Sequence, residues 1–277
     1  MPGEGRNLLV VGHPGHELRA YGWIADTRPR VCILTDGGGS SANASRLSES
    51  VSLLSGLGAQ IGPICGAWSD RSLYEIILAG ECASLARSAE QLAEVMIDDG
   101  IDTVVSDAIE GYNPTHDLCE VLTSTAVALA GLRGHRPRHL VFPLMGDPRV
   151  SPGFDRPLEA THRLTEKRFE DKKQATLKYA SIGGERLLQE IVDTLRRFGD
   201  DAFRCERWFA GAPVSHPWVD LFGGGRPFYE EYGERQVASG RYDFVVRFTE
   251  HVLPIFRRLC SLSTQPLDVT PHAGALH

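Results

Sequence analysis

Asn7-Leu8-Leu9-Val10-Val11-Gly12-His13-Pro14-Gly15-His16-Glu17 is the stretch whose reading decides the architecture. Four consecutive aliphatic residues, closed off by a segment rich in Gly and Pro, have the length and composition of a strand buried on both faces. Residues 18–25 then carry a helical composition. Residues 30–34 form a second aliphatic run, ending in Thr35-Asp36-Gly37-Gly38-Gly39. Strand, helix and strand in that order predict a parallel sheet, because a parallel pair needs a crossover connection.

Working outward, residues 44–57 read as a helix stopped by Gly58. Helix formers dominate residues 70–98, enough for one or two helices. Thr103-Val104-Val105 is a third strand, followed by a loop over 106–117 and a helix over 118–130. Residues 140–144 suggest another strand, and 148–157 a surface loop. Helices are expected over 159–181, 186–198 and 245–259, with a loose tail from about 261. The pattern predicts an α/β fold, a Rossmann-like α/β/α sandwich with a mostly parallel sheet. Residues 1–180 form its core, and 181–277 a helical C-terminal extension packed on that core rather than an independent domain.

The chain has 277 residues, 42% hydrophobic and 23% charged, so it can build a sizeable core. Its formal charge of −7 argues against a general nucleic-acid or anionic-membrane binder. No run approaches the ~20 apolar residues of a membrane helix. Residues 1–12 lack the features of a signal peptide, so the cytoplasm is the expected compartment. The six cysteines include no Cys-x-x-Cys pair and are expected as free thiols.

Chemistry points to histidines. In an open parallel sheet, ligands bind beyond the carboxyl ends of the strands, where His13 falls. His16, three residues on, presents its imidazole to the same side if the turn is helical. His116 lies in the loop that leaves the third strand. Three neutral imidazoles meeting at one point are a credible zinc site with a position left for water. Ten histidines in the chain make a close pair unremarkable by chance, so the pair alone does not decide it.

The segment Val10–Glu17 resembles the His-Pro-Asp-Asp-Glu signature of the PIG-L/LmbE-like zinc-dependent N-deacetylases, and Asn113-Pro114-Thr115-His116 resembles their later His-Pro-Asp-His motif. Asp36 after the second strand, and Arg46 in the helix that follows, also fit that pattern. The resemblance covers roughly residues 7–180. It implies Zn2+ as cofactor, held by His13, His16 and His116, and hydrolysis of an N-acyl group on an amino sugar or related small metabolite. It also implies that Gly15 stands where the family has its general base, a group glycine cannot replace, and Asn113 where it has an oxyanion-steadying histidine. Asn113 still offers an amide donor.

A three-histidine site carries one more net positive charge than a site with two histidines and a carboxylate, which favours hydroxide near neutral pH. Glu17, Asp36, Asp107, Glu110 and Asp117 are the nearby carboxylates. Glu17, beside the ligands, is the preferred replacement for the base, with orientation of a ligand as its alternative role. Asp117, next to His116, is the second catalytic candidate. Asp36, Arg46 and Tyr112 are the candidate substrate contacts. The run Phe228–Arg235 reads as a cleft wall or as a homo-oligomer interface.

Two other readings stay open. One is a non-hydrolytic metalloprotein on the same scaffold, motivated by Gly15; Gly15→Asp is the substitution expected to restore a base. The other is a nucleotide-binding transferase built around the glycine run at 37–39, which lacks the spacing of a phosphate-binding loop.

Overall fold

The strand Asn7–Val11 (β1) sends alternate side chains into two separate cores, and that alternation makes the chain a three-layer sandwich. The computed structural model describes residues 5–38 and 46–264. The end of the glycine run at Gly39, the first residues of the helix expected over 44–57, and the tail beyond 264 lie outside the described residues.

After β1 come a 3-10 turn (His16–Ala20), α1 (Tyr21–Thr27), β2 (Arg30–Thr35), α2 (Leu47–Gly56), β3 (Gln60–Trp68), α3 (Asp70–Ala79) and α4 (Ala83–Asp98). β4 (Thr103–Asp107), α5 (Pro114–Leu132), β5 (Arg138–Phe142), β6 (Leu158–Arg163), α6 (Glu166–Ile182), α7 (Glu185–Phe198), β7 (Cys205–Ala210), α8 (Phe228–Ala238) and α9 (Leu253–Leu262) complete the order. The seven strands form one sheet in the order β3-β2-β1-β4-β5-β7-β6. The first five are parallel, while β7 runs antiparallel to both β5 and β6.

Leu8 and Val10 of β1 pack with Val104 of β4 and with α3, α4, α5 and α9, through Leu73, Leu92, Leu122 and Phe256. Leu9 and Val11 pack on the opposite face with Trp23 and Ile24 of α1, Leu54 of α2 and Trp208 of β7. The fold is therefore an α/β/α sandwich of Rossmann-like order, as the opening strand-helix-strand pattern implied. The strand order reverses between β1 and β4, so the crevice at that switch point is where both histidine motifs emerge.

Two buried carboxylates set the segments around that crevice. Glu206 of β7 accepts the N–H groups of Gly22 (2.9 Å) and Trp23 (2.8 Å) and pairs with Lys172 Nζ at 2.7 Å, fixing the start of α1. Glu120 of α5 forms a two-point ion pair with Arg156 (2.6 and 2.9 Å) and accepts from Ile109 N at 2.8 Å, anchoring the loop after β4. Residues 181–277 contribute β7 to the interior of the sheet and α9 to one helical layer.

Two local expectations change and a third is narrowed. The helix expected over 159–181 begins at Glu166, capped by Thr165, and the residues before it form β6. β6 is an edge strand paired only with β7, a partner that arrives much later in the chain, so its helix-forming residues are overridden by pairing. The stretch 70–98, expected as one or two helices, holds two, α3 and α4. α5 starts at Pro114, capped by Asn113, which moves His116 from a loop onto the first helical turn. Asn followed by Pro is itself a helix-start signal.

Candidate functional site

Gly12 follows β1 and allows the backbone to approach β4. Its N–H donates to Asp107 Oδ2 at 2.7 Å, and a Cβ there would lie 3.1 Å from that oxygen. The same oxygen accepts from His16 Nδ1 at 2.7 Å. Asp107 is wholly buried, and that burial pushes its carboxyl up to about 7 despite the Gly12 hydrogen bond. On the other side, His13 Nδ1 is shared between Thr35 Oγ1 (2.8 Å) and Asp70 Oδ1 (2.9 Å). Burial works against ionisation of Asp70, yet the hydrogen bond and charge of His13, helped by Thr35 and Arg46, draw it down to about 2.

His116 completes the cluster from the first turn of α5. Its ring centroid lies 5.3 Å from that of His13 and 4.6 Å from that of His16, and His13 and His16 are 5.2 Å apart. Burial, followed by the charges of the neighbouring histidines, holds His16 and His116 well below the usual histidine range, so both are neutral near pH 7. Neutral imidazole is the form that binds metal.

The spacing is informative. Imidazoles held tetrahedrally on a zinc ion at ~2.0–2.1 Å place their ring centres about 5 Å apart. Carboxylates behind the Nδ1 atoms of His13 and His16 leave each Nε2 as the outward donor, the arrangement that orients metal-bound histidines. Buried polar atoms without a hydrogen-bond partner gather here: His13 Nε2, His116 Nδ1, Asp107 Oδ1, Glu17 Oε1 and Thr115 Oγ1. Such atoms are rare in folded proteins and are satisfied by ions or ordered water. Among the described residues, no group of three or more His, Cys, Asp or Glu side chains is arranged as it stands to hold a metal ion. The features of the cluster that suit a zinc ion are the ring spacing, the neutrality of His16 and His116, and the unpartnered His13 Nε2 and His116 Nδ1.

The remaining candidates fall in distinct places. Glu17 is wholly buried beneath the loop; its Oε2 accepts from Gly15 N at 2.7 Å, and burial raises its pKa. Asn113 Oδ1 accepts from Thr115 N (2.8 Å) and Tyr74 Oη (3.2 Å), which leaves the side-chain amide nitrogen as its outward donor. Asp117 is also wholly buried. Its Oδ1 accepts from Glu110 N (3.0 Å) and Gly111 N (3.1 Å), holding the loop after β4, and burial pushes its carboxyl up to about 7. Asp36 shapes the turn after β2 by accepting from Gly38 N at 2.7 Å. The Arg46 guanidinium stands 6.0 Å from the centre of the Tyr179 ring, and its charge is felt at both His16 and Asp70. Tyr112 stacks beside His116, with ring centres 6.4 Å apart.

Gly15 adopts φ +101°, and a Cβ built there would stand 2.5 Å from Cε1 of Tyr179 on α6. The place a side chain would occupy is filled by a ring packed against Leu18 and Tyr21. Gly15→Asp therefore has no room to supply a base, and that expectation is withdrawn.

Asp70 and Tyr179 were not among the candidate site residues of the sequence, and Thr35 entered only with Asp36 and Gly37 at the end of the second strand. Asp70 belongs to the site because it follows the carboxyl end of β3, a strand interrupted by Gly62, Pro63 and Gly66 and hence invisible as a pattern. Pro63 is tolerated because β3 is the edge of the sheet.

No family model and no curated protein matches the chain. Among solved structures it is similar to the zinc-inhibited form of teicoplanin deacetylase Orf2, at 12% identity over 74% of this chain and 97% of that one, with a TM-score of 0.47. It is also similar to the conserved protein TT1542 from Thermus thermophilus, at 19% identity over 77% and 98%, with a TM-score of 0.46. Likeness at this level carries no conclusion about chemistry, which has to come from the residues. No helix among the described residues is long and apolar enough to cross a membrane.

Proposed function

We propose that this chain is a zinc-dependent hydrolase of an N-acyl bond in a small molecule, the resemblance implying an amino sugar or related metabolite. The observation that carries the reading is the meeting of His13, His16 and His116, with Asp70 and Asp107 behind the first two. Zinc bound there supplies Lewis acidity toward an acyl carbonyl and makes water nucleophilic near neutral pH.

The chain's own residues do the rest. Asp107 and the Thr35–Asp70 pair fix the tautomers and ring directions of His16 and His13. The Asn113 amide donates to the oxygen on which negative charge develops, while its own oxygen is locked into the helix cap. Asp70, with its side chain 21% exposed, is held ionised and so remains a hydrogen-bond acceptor for His13 Nδ1. Glu17, sealed from solvent, holds the loop that carries His13 and His16, and Asp117, equally sealed, holds the loop that leads into α5. Arg46 offers positive charge to the substrate at the rim.

Purified protein should contain about one zinc per chain, and chelation should abolish acyl release from an N-acyl panel, restored by added zinc. A zinc-loaded protein inert toward the whole panel would leave a second reading, a non-hydrolytic metalloprotein, which the filled space beside Gly15 favours. Asp107→Ala removes the one oxygen that accepts from both Gly12 N and His16 Nδ1. Its zinc affinity should fall roughly 10- to 100-fold in a chelator competition; unchanged affinity would remove Asp107 from the orienting role.

A further inference from the structure

A cavity of about 20 Å³ lies beside Phe142, the last residue of β5, at the carboxyl edge of the sheet. Three cationic side chains line it, Arg19, Lys172 and Arg207, against one carboxylate, that of Glu206. The carboxylate is taken. Its oxygens accept from Gly22 N, Trp23 N and Lys172 Nζ, all within 2.9 Å. Two guanidiniums are left over. Arg19 donates to the carbonyl of Leu144 and lies over the Phe203 ring, 5.0 Å from its centre. Arg207 reaches only the Cys205 carbonyl, at 3.5 Å.

Among the described residues, neither guanidinium has a carboxylate as an ion-pair partner. Glu110 is felt by Arg19 through space, but its oxygens are held by the N–H groups of Leu144, Met145 and Gly146. Asp147 is felt by Arg207 and is paired with Arg149 at 2.7 Å. Burial draws the Arg19 guanidinium down to about 10, the direction expected of a cation that its surroundings do not balance. Trp208, wholly buried in the wall of the cavity, adds an indole N–H without a hydrogen-bond partner.

Like charges that line one partly buried space repel each other, and buried charges are normally paired. Water placed there would meet the hydrogen bonds and leave the charge. The volume exceeds the roughly 10–15 Å³ that a single water requires, yet it is far too small for sulfate or a phosphate ester. A monatomic anion satisfies both size and charge. We infer that this cavity binds a halide ion, chloride in a physiological medium, between the Arg19 and Arg207 guanidiniums. Arg19 belongs to the 3-10 turn that also carries His16 and Glu17, so the ion braces that turn against β7. The inference stands apart from the hydrolase reading.

The test is thermal denaturation of the full chain at constant ionic strength, with sodium gluconate exchanged stepwise for sodium chloride. The melting temperature should rise and saturate, by roughly 2–5 °C once chloride reaches about ten times its dissociation constant. The rise should be equal with zinc bound and after chelation. Arg19→Gln and Arg207→Gln should each lose most of it. Arg207 is half-buried, and removing one of two unpaired like charges should leave Arg207→Gln at least as stable as the wild type in gluconate. Crystals grown in bromide should show an anomalous peak between the two guanidiniums. No chloride dependence in the wild type, or a rise that both variants keep, overturns the inference. So does water without anomalous signal in the bromide crystals. A rise that disappears on chelation overturns it as well, because the halide would then be a ligand of the metal.

Discussion

His13→Ala should retain less than about a tenth of the wild-type zinc, because a three-ligand site that loses one imidazole is left with two. Acyl release should become undetectable in the same preparation. The fold should survive, since the substitution leaves every hydrophobic side chain of the two main cores in place. Thermal denaturation separates loss of metal from loss of structure. Zinc at about a hundred times its dissociation constant adds ~2.7 kcal/mol to a folded state that alone binds it. For a chain of this size that corresponds to roughly 5–10 °C in Tm. Chelation should therefore lower the melting temperature of the wild type and leave that of His13→Ala unmoved. If the substituted protein binds zinc as the wild type does, the three-histidine centre is wrong and the proposed chemistry goes with it.

The second large effect is at Gly15. A residue with a side chain is strained at φ +101°, and its Cβ meets the Tyr179 ring at 2.5 Å. Left-handed strain of about 1–3 kcal/mol, together with overpacking of similar size, predicts a loss of ~2–6 kcal/mol for Gly15→Ala. Gly15→Asp should lose at least as much, and it should lower activity rather than raise it. Urea denaturation reads the first effect and acyl release the second. Part of the cost is a contact with one named ring, so Tyr179→Ala should relieve it, with a coupling of about 1 kcal/mol or more in a double-mutant cycle. A Gly15→Ala protein as stable as the wild type would show that Tyr179 moves aside freely. Strong activation by Gly15→Asp would show that the native site merely lacks a carboxylate.

The two substitutions bear on different readings. Loss of zinc at His13 tests whether the site exists. The response at Gly15 tests whether this chain has lost a general base or has rebuilt its surroundings around a glycine. Tyr179 on α6, Glu17 beneath the loop and Asp70 at the mouth are all consistent with rebuilding, since each occupies the neighbourhood of the absent side chain or of the histidines.

What could be read along the chain was the part whose physics is local. The aliphatic run of β1, the glycine and proline that end it, and the helix after it are a self-contained strand-turn-helix. From them follow a parallel sheet and a ligand crevice at its carboxyl edge, so His13 and His16 were visible as candidates. His116 was visible because Val104-Val105 is an equally plain strand. Tertiary structure alone decided the elements held by distant partners: β3, broken by Gly62, Pro63 and Gly66; β6, helix-like in composition but paired with β7; and β7 itself, buried in the sheet. It also decided which groups the carboxylates face. Asp107 and Asp70 reach the histidines across strand order rather than chain order, and Glu17 and Asp117 are turned into the protein by their own loops. Hydrophobic periodicity is a property of a few neighbouring residues, whereas the direction of a carboxylate depends on what the completed fold places around it.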